Sequence, residues 1–243
     1  MNLFADARHL AALLLVAAVR VVGSQHLAAL FLAAGVRVAA IVAIIGGLAV
    51  TSVGAVAQSK DRSIMAGAAA TAPFRFYLGD ESNWSVLVGG SWGETDFGEL
   101  RLDSVASEGK DSARQITWSG EGKRDSQFYL LAGQAQDYSD FGKDAAISMI
   151  VKVDQKPKGL VKQRMDCGWP CYGELDMTRL FAKVPTGQWF RASVPLECFA
   201  DAGANLKQVR APLLLMTDEP FQLTLSQVAI IESPPPATVI GCK

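Results

Sequence analysis

Two cysteines four positions apart, Cys167 and Cys171, enclose Gly168-Trp169-Pro170, with Asp166 and Tyr172 flanking them and Glu174 and Asp176 just beyond. These residue types could do three kinds of chemistry: thiol–disulfide exchange, carboxylate-assisted cleavage of a glycosidic bond, or stacking of aromatic rings on sugar faces. Redox motifs of the thioredoxin kind place two residues between the cysteines at a helix N-terminus. Here there are three, in a β-type pattern, so a structural disulfide between Cys167 and Cys171 is expected. So short a loop gains little chain-entropy stabilisation from its closure, and its expected use is to fix the posture of Trp169. Four cysteines allow three pairings, and spacing leaves the partners of Cys198 and Cys242 open. A retaining glycosidase needs two carboxyls about 5–5.5 Å apart, which the nearness of Asp166, Glu174 and Asp176 in sequence does not establish. Glu174 or Asp176 is expected instead to cap or border a short helix from Met177.

What the chain lacks narrows the options further. Its two histidines, His9 and His26, both precede residue 58. The rest therefore has no histidine base for a serine or cysteine nucleophile and no imidazole for zinc. No glycine-rich phosphate loop follows a strand. No metal site or cofactor is expected; a structural calcium in the Asp-rich loops remains open, without a complete oxygen-ligand motif to place it. An enzyme is not expected.

Aromatic residues are the better candidates. Trp92, in Gly89-Gly90-Ser91-Trp92-Gly93, and Trp169 are flanked by loop formers and expected to be exposed. With Tyr172 and Asp166 they form the candidate carbohydrate-binding set. Trp118 and Trp189 lie in strand-like alternations and are expected in the core, whereas Trp84 is expected to pack at a strand start.

The elements that must position these residues read mainly as strands: 113–118, 127–131, 145–153, 160–165, 188–194, 211–217, 221–225 and 227–231. Between the third and fourth, Gln155-Lys156-Pro157-Lys158-Gly159 has the residues of a hairpin turn. Two short helices are expected, at 177–184 and 198–202. Close-set strands without helices of about 10–15 residues between them predict an all-β sandwich rather than a doubly wound sheet.

Of the 243 residues, 50% are hydrophobic, and the apolar excess is concentrated at the start. Residues 1–57 read as an apolar, helical leader. Within it, the stretch from Val38 to Ala57 follows Arg37, carries no charge and ends in Ala55-Val56-Ala57. It reads as a signal peptide cut after Ala57, with an uncleaved inner-membrane anchor as the alternative. The long stretch before Arg37 would fit translation beginning near Val36. Either way the rest is expected to be exported, to the periplasm or beyond, where disulfides persist. Residues 58–72 read as a flexible linker, 73–232 as the folded domain and 233–243 as a proline-rich tail. The formal net charge of −1 comes without a basic stripe, so nucleic acid is not an expected partner.

Taken together, Met165-Asp-Cys-Gly-Trp-Pro-Cys-Tyr-Gly-Glu-Leu-Asp-Met-Thr178, Pro185-Thr-Gly-Gln-Trp189, Val194-Pro-Leu-Glu-Cys-Phe-Ala200, Ala202-Gly-Ala-Asn-Leu206 and Val209-Arg-Ala-Pro-Leu213 carry a resemblance. The chain resembles the C-terminal galactose-binding-like domain of the ExoP group of bacterial family 3 glycoside hydrolases, over about residues 73–231 and more weakly before Trp118. The resemblance implies a jelly-roll-like β-sandwich and a carbohydrate context. It does not imply hydrolysis, because the catalytic barrel alone takes about 250 residues and has no counterpart here. The expected function is a non-catalytic, exported module that binds a glycan of the β-glucan type or assists a separate envelope glycoside hydrolase. The alternative is a membrane-tethered protein-interaction domain.

Overall fold

A computed structural model describes residues 60–106, 112–120 and 124–242. The leader, its cleavage and its anchoring lie outside the described residues.

The described residues form fourteen strands and two short α-helices. A six-stranded antiparallel sheet has the order β11 (Cys171–Asp176), β10 (Lys162–Gly168), β13 (Ala211–Thr217), β8 (Ser126–Ala132), β3 (Phe74–Gly79), β4 (Val86–Val88). The second sheet has the order β12 (Trp189–Pro195), β9 (Ala146–Gln155), β14 (Phe221–Ile231), β7 (Ser112–Trp118), β6 (Leu100–Ala106), β5 (Trp92–Glu94), with β1 (Arg62–Ala66) on β14 and β2 (Ala69–Ala70) on β1. Helices α1 (Thr178–Lys183) and α2 (Leu196–Asp201) follow β11 and β12.

Alternation explains how the sheets meet. In β8, Phe128 and Leu130 are fully buried between the sheets, as are Met165 of β10 and Leu213 and Leu215 of β13. They pack with Ile147, Met149, Val151 and Val153 of β9 and Leu223, Leu225, Val228 and Ile230 of β14. The step from Leu225 to Val228 breaks a strict period of two. A register shift between Leu225 and Gln227 absorbs the odd residue, and the carbonyl of Ser226 there accepts the Gly67 N–H at 2.8 Å. What reads in sequence as two strands is one bulged strand. Trp118 closes one end of the core, stacked on Phe221 at 5.5 Å and donating its indole N–H to the Ser126 carbonyl.

Three expectations are corrected. The residues read as a flexible linker include β1 and β2, and Ile64 and Met65 are fully buried because β1 pairs along β14. The turn at 155–159 does not close a hairpin. β9 and β10 lie in different sheets, so the chain crosses the sandwich at that point. The proline-rich tail is not at odds with its reading; it folds back beside β12, where Ile240 donates its N–H to the Ser193 carbonyl and Cys242 is disulfide-bonded to Cys198. Trp189 is half-buried rather than in the core, because it sits on the edge strand β12, with the Lys152 ammonium 5.6 Å from its ring centre.

Candidate functional site

The inward residues of the six-stranded sheet build the core, so its alternate residues face outward. Register aligns one such row across the whole sheet: Glu174, Arg164, Leu214, Tyr129, Tyr77 and Leu87. The next rows bring Lys162, Met216 and Gln127 together on one side and Tyr172, Asp166 and Ala211 on the other. Every residue of β13 is buried. Its inner side meets the core, and its outer side, with Leu214 and Met216, forms an apolar floor beside Tyr129.

Above this floor runs a groove of about 850 Å3 that includes Trp84, Tyr129, Arg164, Asp166, Trp169 and Arg210 in its walls. Trp169 stands at the end of β10, and Trp84 lies beyond the opposite end of β3, three strands away across the sheet. The groove therefore crosses the strands obliquely. With about 4.8 Å between strands and 3.3 Å per residue, the diagonal from the Asp166 level on β10 to the Gly79 level on β3 is about 20 Å.

Each end is held by specific contacts. The Cys167–Cys171 disulfide closes the loop that carries Trp169. Within it, Gly168 has φ +98°, a conformation that favours glycine, and donates its N–H to Asp166 Oδ1 at 2.7 Å. The Trp169 ring is 77% exposed and stacks on Tyr172 with centroids 5.9 Å apart and planes 16° from parallel. The Arg164 guanidinium lies 4.0 Å from the centre of that same tyrosine ring. Glu174 holds Arg164 through one oxygen, at 2.6 Å from Nη2, and lies 3.7 Å from Lys162 Nζ.

At the other end, the fully buried carboxylate of Asp80 accepts N–H bonds from Ser82, Asn83 and Phe97, fixing the turn that precedes Trp84. Gly79 is required beneath it, since a Cβ there would run into the Trp84 backbone. The Tyr129 hydroxyl donates to the Trp84 carbonyl at 2.7 Å. Burial pushes the Tyr129 phenol above its ordinary pKa, with the Ser85 hydroxyl opposing, so Tyr129 meets the groove as a neutral hydroxyl.

The sequence-derived candidates Asp166, Trp169 and Tyr172 are thus brought together. Trp92 is not among them. It is exposed, but on β5 of the other sheet, with Arg101 over its ring at 5.5 Å. The carboxylates do not converge as a hydrolytic pair: Glu174 is engaged by Arg164 and Lys162, and Asp176 Oδ1 accepts the Thr178 N–H at the start of α1. Among the described residues no group of three or more metal-ligating side chains is assembled. Sequence reading missed Tyr129, Arg164 and Arg210 as wall residues and placed Trp84 only at a strand start. The available signal was the outward alternation in β8 and β10, together with the unbroken apolar run of β13, which marks a strand covered on both faces.

A family model described as galactose-binding domain-like, Exop_C, matches residues 72–230. Among solved structures, the fold is similar to the extra C-terminal domain of the exo-1,3/1,4-β-glucanase ExoP from a Pseudoalteromonas species, at 16% identity and a TM-score of 0.59, covering 74% of this chain and 96% of that one. Against the ExoP enzyme as a whole the TM-score is 0.61 at 16% identity, covering 75% of this chain and 22% of that one. A family 30 carbohydrate-binding module from a cellulosomal cellulase of Clostridium thermocellum is similar at 15% identity and a TM-score of 0.50, covering 70% of this chain and 96% of the module. Among curated proteins, none matches significantly.

Proposed function

Because the chain belongs to the galactose-binding-domain-like Exop_C family, we propose that it is a non-catalytic carbohydrate-binding module that seats a β-glucan-type chain in the groove of the six-stranded sheet. The observation that carries this reading is the groove itself. Exposed tryptophans bracket its ends, and a tyrosine, an ordered arginine and a carboxylate lie along an apolar floor. Sugar rings present C–H faces and hydroxyl edges, and these two kinds of surface are what such a groove complements. The carbohydrate names carried by structures of the same fold, an exo-1,3/1,4-β-glucanase and a family 30 carbohydrate-binding module, support the choice of ligand class.

In the same proposal the module works outside the cytoplasm, released after Ala57 or held by residues 38–57, and assists a separate glycoside hydrolase. All four cysteines are paired, which supports an oxidising compartment. The ExoP enzyme, in which the similar region is about a fifth of the chain, supports the partnership.

Affinity electrophoresis in mixed-linkage β-glucan tests the reading. The wild-type domain is expected to be retarded, Trp169→Ala to weaken binding roughly thirtyfold as loss of an aromatic hot spot does, and Trp92→Ala to leave it unchanged. Absence of retardation for the wild type, across soluble β-glucans, would overturn it.

A further inference from the structure

Arg210 and Asp166 stand out among the groove residues for what they do not do. They are neighbours across the β10–β13 pairing, the Arg210 N–H donating to the Asp166 carbonyl at 2.8 Å. Their side chains both line the groove beside Trp169. Opposite charges so placed would ordinarily close into an ion pair. Among the described residues they do not: the Arg210 guanidinium has no hydrogen-bond or ionic partner, and Asp166 uses Oδ1 for the Gly168 N–H while Oδ2 has none. Arg164, the other groove arginine, contrasts with this, being held by Glu174 and Tyr172.

The Cys167–Cys171 loop accounts for part of the separation. The Gly168 N–H draws Asp166 Oδ1 toward the loop, and a Cβ on Gly168 would lie 3.7 Å from Arg210 Cδ. The arginine stem thus passes over the glycine, its charged end left toward solvent. The result is a free acceptor and a free set of planar donors beside the most exposed aromatic ring of the domain. An ionised carboxylate only accepts hydrogen bonds, and a guanidinium only donates. A sugar hydroxyl does both, so two adjacent hydroxyls of one ring can donate a hydrogen bond to the carboxylate and accept one from the guanidinium. Charge-assisted bonds of this kind are about twice as strong as neutral ones.

We infer that Asp166 and Arg210 read one sugar ring together, as a vicinal diol gripped between carboxylate and guanidinium while its face rests on Trp169. This rests on the glycan-binding reading of the groove and adds its specificity-determining element. The sugar over Trp169 must offer two free neighbouring hydroxyls. Units substituted at either hydroxyl are refused there, because they leave one of the two charged groups unpaired.

Isothermal titration with a mixed-linkage β-glucan tetrasaccharide separates the outcomes, with thermal melts confirming that each variant is folded. Asp166→Asn and Arg210→Gln are each expected to weaken binding about tenfold. Because both grip one ring, the double variant is expected to lose far less than the hundredfold product. Partial O-methylation of the ligand is expected to weaken wild type and leave the double variant nearly unaffected. If the two losses multiply independently, or if neither substitution matters while Trp169→Ala abolishes binding, the shared grip is overturned and the module reading stands. If wild type and Trp169→Ala alike fail to bind any β-glucan, the module reading falls and takes the grip with it.

Discussion

At the scale of single residues, the site depends on side chains whose freedom has been removed before a ligand arrives. Trp169 is the extreme case, 77% exposed yet confined by a five-residue disulfide loop and a ring stack on Tyr172. An exposed ring without such constraints would spend part of the binding energy on becoming ordered, about 0.5–1.5 kcal/mol for an immobilised side chain. The paired variant Cys167→Ser with Cys171→Ser is therefore expected to weaken glucan binding about tenfold, while its thermal midpoint moves by only a few degrees. Titration calorimetry beside a melting curve checks both parts; a large loss of stability with unchanged affinity would show that the loop is there for the fold instead. Asp166 serves twice at this corner, one oxygen ordering the loop and the other left toward the groove.

At the scale of elements, one close approach holds the sheet edge in place. Gly173 of β11 lies directly under α2, where a Cβ would run into the Phe199 carbonyl oxygen. Since backbone cannot yield as a side-chain end can, Gly173→Ala is expected to destabilise the domain by about 1–3 kcal/mol. Gly89→Ala, where a Cβ meets nothing within 4 Å, is expected to be neutral; urea denaturation of the two variants provides the comparison. Arg114 performs a related task elsewhere. It donates to the carbonyls of Ala68, Ser91 and Gly90, fastening the β1–β2 turn to the passage from β4 to β5.

The same elements show how much was readable in advance. Strands β7, β8, β12 and β13 follow from alternating or unbroken apolar runs, and the cysteine loop from its spacing. The crossing at residues 155–159 was not readable, because proline and glycine specify that a chain turns and not which sheet it rejoins. Residues 62–70 were mistaken for a tether because alanine and glycine carry little β signal, and their place is decided by what β14 leaves uncovered. Trp92 and Trp169 look alike locally, each set among loop formers. Only the sheet assignment of β5 separates them. Arg210 gave no local sign, since its role depends on a partner more than forty positions earlier.

At the scale of the whole molecule, charge sets the pH range over which the domain stands. Burial would raise the Asp80 pKa, but bonds from Ser82, Thr95 and Phe97 outweigh it and hold the group below its ordinary 3.8. Hydrogen bonds from Ser139 and Thr178 likewise lower Asp137 and Asp176. Each carboxyl gives up its proton more readily folded than unfolded, so its stabilising contribution is present above about pH 4 and is lost as pH falls through the lowered values. On the alkaline side, burial pushes the Tyr138 phenol up to about 12 from 10, so its contribution is present below pH 10 and lost as pH rises toward 12. Denaturation across pH is expected to give a plateau bounded by these two declines. Asp80→Asn is expected to shallow the acid limb while leaving the alkaline limb in place; an acid limb unchanged by Asp80→Asn would refute the assignment.

The uneven exposure of the five tryptophans has an optical consequence. Trp118 is sealed in the core at 2% exposure, whereas Trp169 is open to solvent. Emission from the first reports the integrity of the sandwich, and emission from the second is accessible to an aqueous quencher such as iodide until something covers the ring. One fluorescence experiment on the unlabelled protein can thus follow unfolding through Trp118 and occupancy as a partial loss of quenching, with Trp92, exposed outside the groove, quenchable throughout.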